Sequence, residues 1–320
     1  MSRPARHGAE NVALGVAVIV ATGFAMAFGD ALVKRISADF TLPQIFVLRS
    51  LVAIPLLLVL LLFGYGSGAI RPTSIGWTFL RSALLVLMWI CFCAGLPVLS
   101  LPVVAAAYYS GPLFIALLSA LLGGEPVGAR RWTATVIGFV GVVAILRPGT
   151  EAFSSLTLLP IGSALFYALA AIVTRARCRA EKPLVLSLAL NIFLLAAGAI
   201  AAGVLAVWTP AASQAAAYPF LLGAWAAMGA PEWVIVALLA ILMVAVSAGV
   251  AKAYQSGPST IIATFDYAYL VFAAFWSFVF FSELPDAMTL AGMLLIAGAG
   301  FLAVRQPASA RPAPVADQTV

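Results

Sequence analysis

Charge is the scarcest property of this sequence. Only 9 % of its 320 residues are Asp, Glu, Lys or Arg, against roughly 25 % in an ordinary soluble domain. Histidine occurs once, as His7, which excludes His-based zinc sites and proton relays built on a membrane-buried imidazole. The three cysteines Cys91, Cys93 and Cys178 supply no disulfide framework. Lysine is confined to Lys34, Lys182 and Lys252, never after a glycine, so there is no Walker A loop and no route to ATP hydrolysis. No catalytic residue, cofactor or metal site is expected.

Apolar side chains fill the space that charge leaves. Hydrophobic residues make up 64 % of the chain and the mean hydropathy is +1.13, more than the surface of a water-soluble globule accommodates. The apolar stretches are continuous rather than alternating; one runs from Arg81 to Glu125 without a charge between its ends. That pattern implies an all-α integral membrane protein and not a transmembrane barrel. At about 20 residues per crossing, ten spans are predicted, over 12–33, 42–63, 76–96, 102–123, 131–147, 154–174, 184–207, 232–253, 258–281 and 287–304. Turn residues separate them, among them Tyr65-Gly66-Ser67-Gly68, Gly123-Gly124, Arg147-Pro148-Gly149 and Leu284-Pro285-Asp286. Residues 305–320, rich in Pro and Ala, read as a disordered cytoplasmic tail. Ala25-Met26-Ala27 imitates a signal cleavage site, but the apolar run continues past it, so the first span is expected to be retained.

Positive residues orient the chain. With a cytoplasmic N-terminus, residues 1–11, the inner segments hold twelve basic residues: Arg3, Arg6, Arg71, Arg81, Arg130, Arg131, Arg175, Arg177, Arg179, Lys182, Arg305 and Arg311. The outer loops hold Lys34, Arg35 and Arg147. The positive-inside rule then puts both termini in the cytoplasm, in a cell inner (plasma) membrane. The net charge of +6 is topological and implies no nucleic acid.

The two halves echo each other. Glu125 precedes a helix with Gly138 and Gly141, and Glu283 precedes one with Gly292. A shift of 158 lays Tyr109 on Tyr267, and a shift of 140 lays Ala31-Leu32-Val33-Lys34-Arg35 on Ala171-Ile172-Val173-Thr174-Arg175. Two repeats of five spans follow, 12–149 and 150–304, and an odd number inserts them in opposite orientations, with a solute site at their interface. These features resemble the EamA branch of the drug/metabolite transporter superfamily, most of all Glu125…Gly138-Phe139-Val140-Gly141 running into Leu146-Arg147-Pro148-Gly149, with the second Glu283…Gly292 copy. Gly29-Asp30-Ala31-Leu32-Val33-Lys34, followed by Arg49, is similar to the subgroup that takes up riboflavin and S-adenosylmethionine. The resemblance implies a secondary transporter of a small organic metabolite. It also implies a cavity lined by the first four helices of each half, with the fifth and tenth peripheral.

Charged groups inside spans cost at least about 2.5–3.5 kcal/mol on insertion scales, so they should face protein or water. Asp30, Lys34 and Arg49 form the gate or ion-pair candidates at the outer mouth; Lys34 lies one turn beyond Asp30, within pairing reach. Asp266 has no charged neighbour in sequence, and its expected roles are a coupling proton, a cationic solute group or a structural hydrogen bond. Glu125 and Glu283 are repeat markers that cap or stabilise turns. Trp89, Tyr108, Tyr109, Tyr167, Tyr267 and Tyr269 form aromatic walls suited to a ring-bearing or amphipathic solute. Gly111-Pro112 should loosen the fourth helix and free backbone carbonyls. Gly138 and Gly141 offer a close-packing surface to a neighbouring helix or to a second copy in a homodimer.

The expected partners are thus the lipid bilayer, a small organic solute and a coupling proton. Import and export both suit this plan. An intramembrane aspartyl enzyme would need a dyad, yet Asp30 and Asp266 are predicted toward opposite faces. A channel would draw on oligomer symmetry, whereas this chain carries its own.

Overall fold

The structure is a computed structural model; it describes residues 7–66, 70–111, 113–115, 117–118, 129–147, 156, 158–178, 180–256, 262 and 265–304. Among these, helix is the regular structure and no strand occurs. The long helices are α1 (His7–Ile36), α2 (Leu42–Tyr65), α3 (Ile75–Gly95), α4 (Leu101–Tyr108), α5 (Ala129–Leu146), α6 (Leu158–Arg177), α7 (Pro183–Val207), α8 (Ala230–Ser256), α9 (Ala268–Phe281) and α10 (Ala287–Val304). Two short pieces, Ala212–Ala217 and Pro219–Leu222, lie between α7 and α8. Pro112, Glu125 and much of the predicted turn material lie outside the described residues.

Among the described residues, five stretches are long and apolar enough to cross a membrane: Val12–Ile36, Leu42–Tyr65, Ile75–Gly95, Pro183–Val207 and Ala230–Val250. Five shorter apolar helices accompany them: Leu101–Ile115, Trp132–Leu146, Leu158–Thr174, Ala268–Phe281 and Ala287–Leu302. The 24 residues of α2 make a rod of about 36 Å, ample for a hydrocarbon core of about 30 Å. Large apolar side chains such as Phe63 and Val207, each 90 % exposed, face outward, as lipid requires and water does not tolerate in such numbers.

Local chemistry explains several helix ends. Pro43, Pro102 and Pro183 sit in first turns, where a missing N–H costs nothing. Ser282 closes α9 in the left-handed region at φ 55°, its N–H returning to the Phe278 and Ser277 carbonyls. Arg147, at φ 48°, takes the same conformation directly after α5.

Two helices are interrupted. In α4 the helix gives way to a turn at Tyr109–Ser110 and resumes at Gly111. In α9 the helical residues Phe265 and Asp266 precede a turn at Tyr267, and the main helix starts at Ala268. The first break comes just ahead of Gly111-Pro112, as that dipeptide leads one to expect.

Packing pairs the helices across the molecule. α1 lies against α8 and α9, and α6 lies against α3 and α4; α2 packs on α7, α5 on α10 and α4 on α9. The main core gathers residues from all ten of these helices, with Phe92, Leu194 and Tyr269 among its fully buried side chains. Glycines on α1 and α8 receive side chains of the other helix: Gly249 lies against Thr22, and Gly29 against Leu239 and Leu242. Gly141 meets α10 of the same chain, where a Cβ would fall 2.8 Å from the Gly292 carbonyl oxygen. A neighbouring helix is therefore the partner of Gly141, and Leu113, in the helical stretch beyond the α4 break, fills the space at Gly138.

Candidate functional site

A cavity of about 610 Å³ enters the bundle from the end that carries the α6–α7 connection. Its lining comes from α1, α3, α4, α6, α7 and α8 and from Asp266 ahead of α9, with nothing from α5 or α10. The mouth is polar. Arg81 Nε donates to Thr174 Oγ1 at 2.9 Å, and Glu181 Oε1 accepts the Ser74 N–H at 2.6 Å. The inner end is aromatic and closes on Trp89, Tyr108, Tyr109 and Tyr167, with Met26 and Asp266.

The rings form a connected wall. Tyr108 stands edge-on to Phe92 at 5.4 Å and touches Tyr167 at 5.4 Å; Phe92 continues to Trp89 at 5.9 Å. Tyr109 stacks on Tyr269 with centroids 4.9 Å apart and planes 15° from parallel. Each of this stacked pair serves a different carboxylate. The Tyr109 hydroxyl donates to Asp266 Oδ1 at 3.4 Å, a long bond, and the Tyr269 hydroxyl donates to Asp30 Oδ2 at 2.6 Å. Asp266 reaches the cavity, whereas Asp30 is 4 % exposed behind the stack.

The sequence-predicted residues thus divide into three groups. Trp89, Tyr108, Tyr109, Tyr167 and Asp266 come together around the cavity. Tyr269 is wholly buried on Asp30, and Tyr267 touches the Tyr109 ring at 5.6 Å while pressing on Gly300, where it leaves no room for a Cβ. The Tyr267 hydroxyl is buried without a partner.

Lys34, Glu283 and their surroundings close the other end of the bundle. Lys34 Nζ donates to Glu283 Oε2 at 2.8 Å and to the Leu99 carbonyl at 3.0 Å, and it lies over the Phe281 ring. Ser277 Oγ adds a bond to Glu283 at 3.0 Å. The expected Asp30–Lys34 neighbourhood does not produce a pair. One turn of helix separates them, but Asp30 points into the core toward Tyr269, whereas the lysine runs outward along the axis to a partner 249 residues away. Arg49 joins neither carboxylate directly; it lies 3 % exposed between the Phe46 and Trp89 rings.

Arg81, Thr174 and Glu181 are the lining residues that sequence reasoning missed. Arg81 counts among the basic residues of the inner segments in the topology above, and it lies six residues into α3. A charge inside a predicted span was the available signal.

Known proteins bear on this arrangement. Residues 13–147 match the EamA-like transporter family. This stretch is an EamA-family domain. The chain is 25 % identical over 283 residues to the pseudopaline exporter of Pseudomonas aeruginosa, covering 88 % of this chain and 93 % of that one. It is 26 % identical over 287 residues to the riboflavin transporter of Vibrio cholerae, covering 88 % and 90 %. Against the S-adenosylmethionine uptake transporter of Rickettsia felis it is 28 % identical over 240 residues, covering 73 % of each. A solved crystal structure superposes with a TM-score of 0.58 over 92 % of this chain and 97 % of the other, and at 17 % identity that likeness concerns the fold alone. The chain is a multi-pass membrane protein whose relatives are transporters. The EamA resemblance is borne out over the stretch that holds Glu125, Gly138 and Gly141, and Glu283 lies outside the matched residues.

Proposed function

We propose that this protein is a secondary transporter that carries a small organic metabolite across the inner (plasma) membrane by alternating access. The supporting observation is the pairing of an open, aromatic cavity ending on Asp266 with a cross-linked opposite end at Lys34–Glu283. A blind cavity sealed on one side suits a carrier and disfavours a continuous channel. Two inverted five-helix repeats, 12–149 and 150–304, with cytoplasmic termini, organise this reading. The helix pairing supports the repeat: exchanging each helix for the one five places along turns α1–α8 into α6–α3 and α1–α9 into α6–α4, and both pairs occur. The twin helix breaks at Tyr109 and Tyr267, equivalent under the 158-residue shift, support it as well. With the basic residues inside, the cavity faces the cytoplasm.

Tyr108, Tyr109, Trp89 and Tyr167 then supply ring faces to the solute, and Asp266 takes a coupling proton or a cationic solute group. Tyr267 and Tyr269 support this wall from behind, and Asp30 anchors Tyr269. The S-adenosylmethionine uptake relative and the pseudopaline exporter leave import and export as the two directional readings, import being favoured by the Gly29–Lys34 stretch. The test is saturable, counterflow-competent uptake by purified protein in proteoliposomes, screened with flavins, S-adenosylmethionine, amino acids and nucleosides. Flux that never saturates would refute the carrier.

A further inference from the structure

Arg49 is the least exposed cationic side chain among the described residues, and its Nε and Nη2 atoms are buried with no hydrogen-bond partner. Those two nitrogens form one edge of the guanidinium, with parallel N–H bonds that match the two oxygens of a single carboxylate. The nearest compensation is aromatic. The Trp89 and Phe46 rings lie 5.2 and 5.8 Å from Cζ, which favours the positive charge but offers no acceptor. Asp30 is buried nearby, yet it is committed to the Tyr269 hydroxyl, and the ion pairs among the described residues are Lys34–Glu283 and Arg147–Asp286. An arginine retained only for packing would be expected to satisfy its donors, because an idle charged edge in an apolar interior is costly.

We infer that the Nε/Nη2 edge of Arg49 is a subsite for a carboxylate of the transported solute, covered by Trp89 in this state. Trp89 is placed to do this: one residue both lines the cavity and holds its ring 5.2 Å from the guanidinium carbon. A solute that displaces the indole gains two charge-assisted bonds that the empty protein lacks. Asp266 stays available in the open cavity for a cationic group. Together the two positions select an amino-acid-like zwitterion over a neutral ring compound. This inference rests on the carrier reading above and narrows its solute class.

The test compares compounds that differ only in the carboxylate: L-tryptophan with tryptamine, and S-adenosylmethionine with decarboxylated S-adenosylmethionine. Binding is read from thermal stabilisation of the full-length protein in lipid nanodiscs. The carboxylated member of a pair is expected to bind roughly ten- to a hundredfold more tightly. Both Arg49→Gln and Arg49→Lys should bring that ratio close to one, since lysine keeps the charge and loses the paired edge. Equal binding of acid and amine by the wild-type protein overturns the subsite without any variant having to fold. So does a ratio that survives Arg49→Gln, or binding confined to riboflavin. Saturable counterflow confined to riboflavin, with none of the carboxylated compounds carried, would remove the carboxylate subsite and leave the carrier standing. No saturable counterflow with any of these compounds would remove both.

Discussion

The two ends of the helix bundle carry related sequences and different cross-links. At one end, Lys34 in Ala31-Leu32-Val33-Lys34-Arg35 crosses to Glu283 and the Leu99 carbonyl. At the other, Thr174 in Ala171-Ile172-Val173-Thr174-Arg175 bonds back to the Ala170 carbonyl at 2.6 Å and receives Arg81. The same register in two similar helices holds a long cation in one case and a short hydroxyl in the other. A lysine ties three segments together; a threonine reaches its own preceding turn. The cavity opens at the end where the reach is short.

The largest expected effect belongs to the open end. Asp266→Asn should abolish gradient-driven transport while leaving folded yield near normal; a collapse in yield would make Asp266 structural instead. Next comes a position that belongs to neither end. Gly141→Leu drives a side chain into the Gly292 carbonyl, and overpacking of this kind costs typically about 1–3 kcal/mol. A thermal melt in detergent should fall accordingly, with an unchanged melt counting against the close α5–α10 contact. The sealed end should respond more gently. Lys34→Gln removes a partly buried pair worth about 1 kcal/mol, a several-fold change in opening. The check is labelling of Ser277→Cys by a membrane-impermeant thiol reagent, with Cys91, Cys93 and Cys178 replaced. Labelling no faster than with Lys34 intact would show that the pair is not the seal.

The smallest effect sits at the cap of α10. Asp286 accepts the Thr289 N–H at 2.8 Å and pairs with Arg147. The Thr289 amide, then the Thr289 hydroxyl and Arg147, hold its carboxyl at about 2, below the ordinary 3.8. A lowered carboxyl stabilises the fold fully above the ordinary value, and that contribution is lost as pH falls through about 2. The site is exposed and screened, so the loss should be a few tenths of a kcal/mol. Melts recorded from pH 5 to pH 2 should show this small decline in the wild type and not in Asp286→Asn.

Much of this architecture was legible because lipid imposes simple rules. Continuous apolar runs and turn residues marked the helices, and Gly111-Pro112 pointed to the interruption near Tyr109. The aromatic wall and Asp266 were legible as polar or amphipathic groups in spans that otherwise lack them. Long-range partnerships were not. Periodicity along α1 joins Lys34 to Asp30, and nothing local indicates Glu283, 249 positions away. The Tyr267 break has no adjacent proline or glycine to announce it, and the Tyr267 side chain turns toward Gly300 because that glycine leaves a hollow. Arg81 was hidden by its usefulness for topology, since a basic residue near a membrane boundary reads equally as an anchor.

The glycine seam between α5 and α10 has a practical consequence. Each carbonyl at Gly141 and Gly292 occupies the place where the other residue would carry a Cβ, so no lipid chain fits between the two rods and neither slides without unseating the other. They must travel as one rigid strut. A pair of spin labels on their outward faces would keep a constant separation throughout the working cycle, giving a built-in ruler for measuring how far every other helix moves.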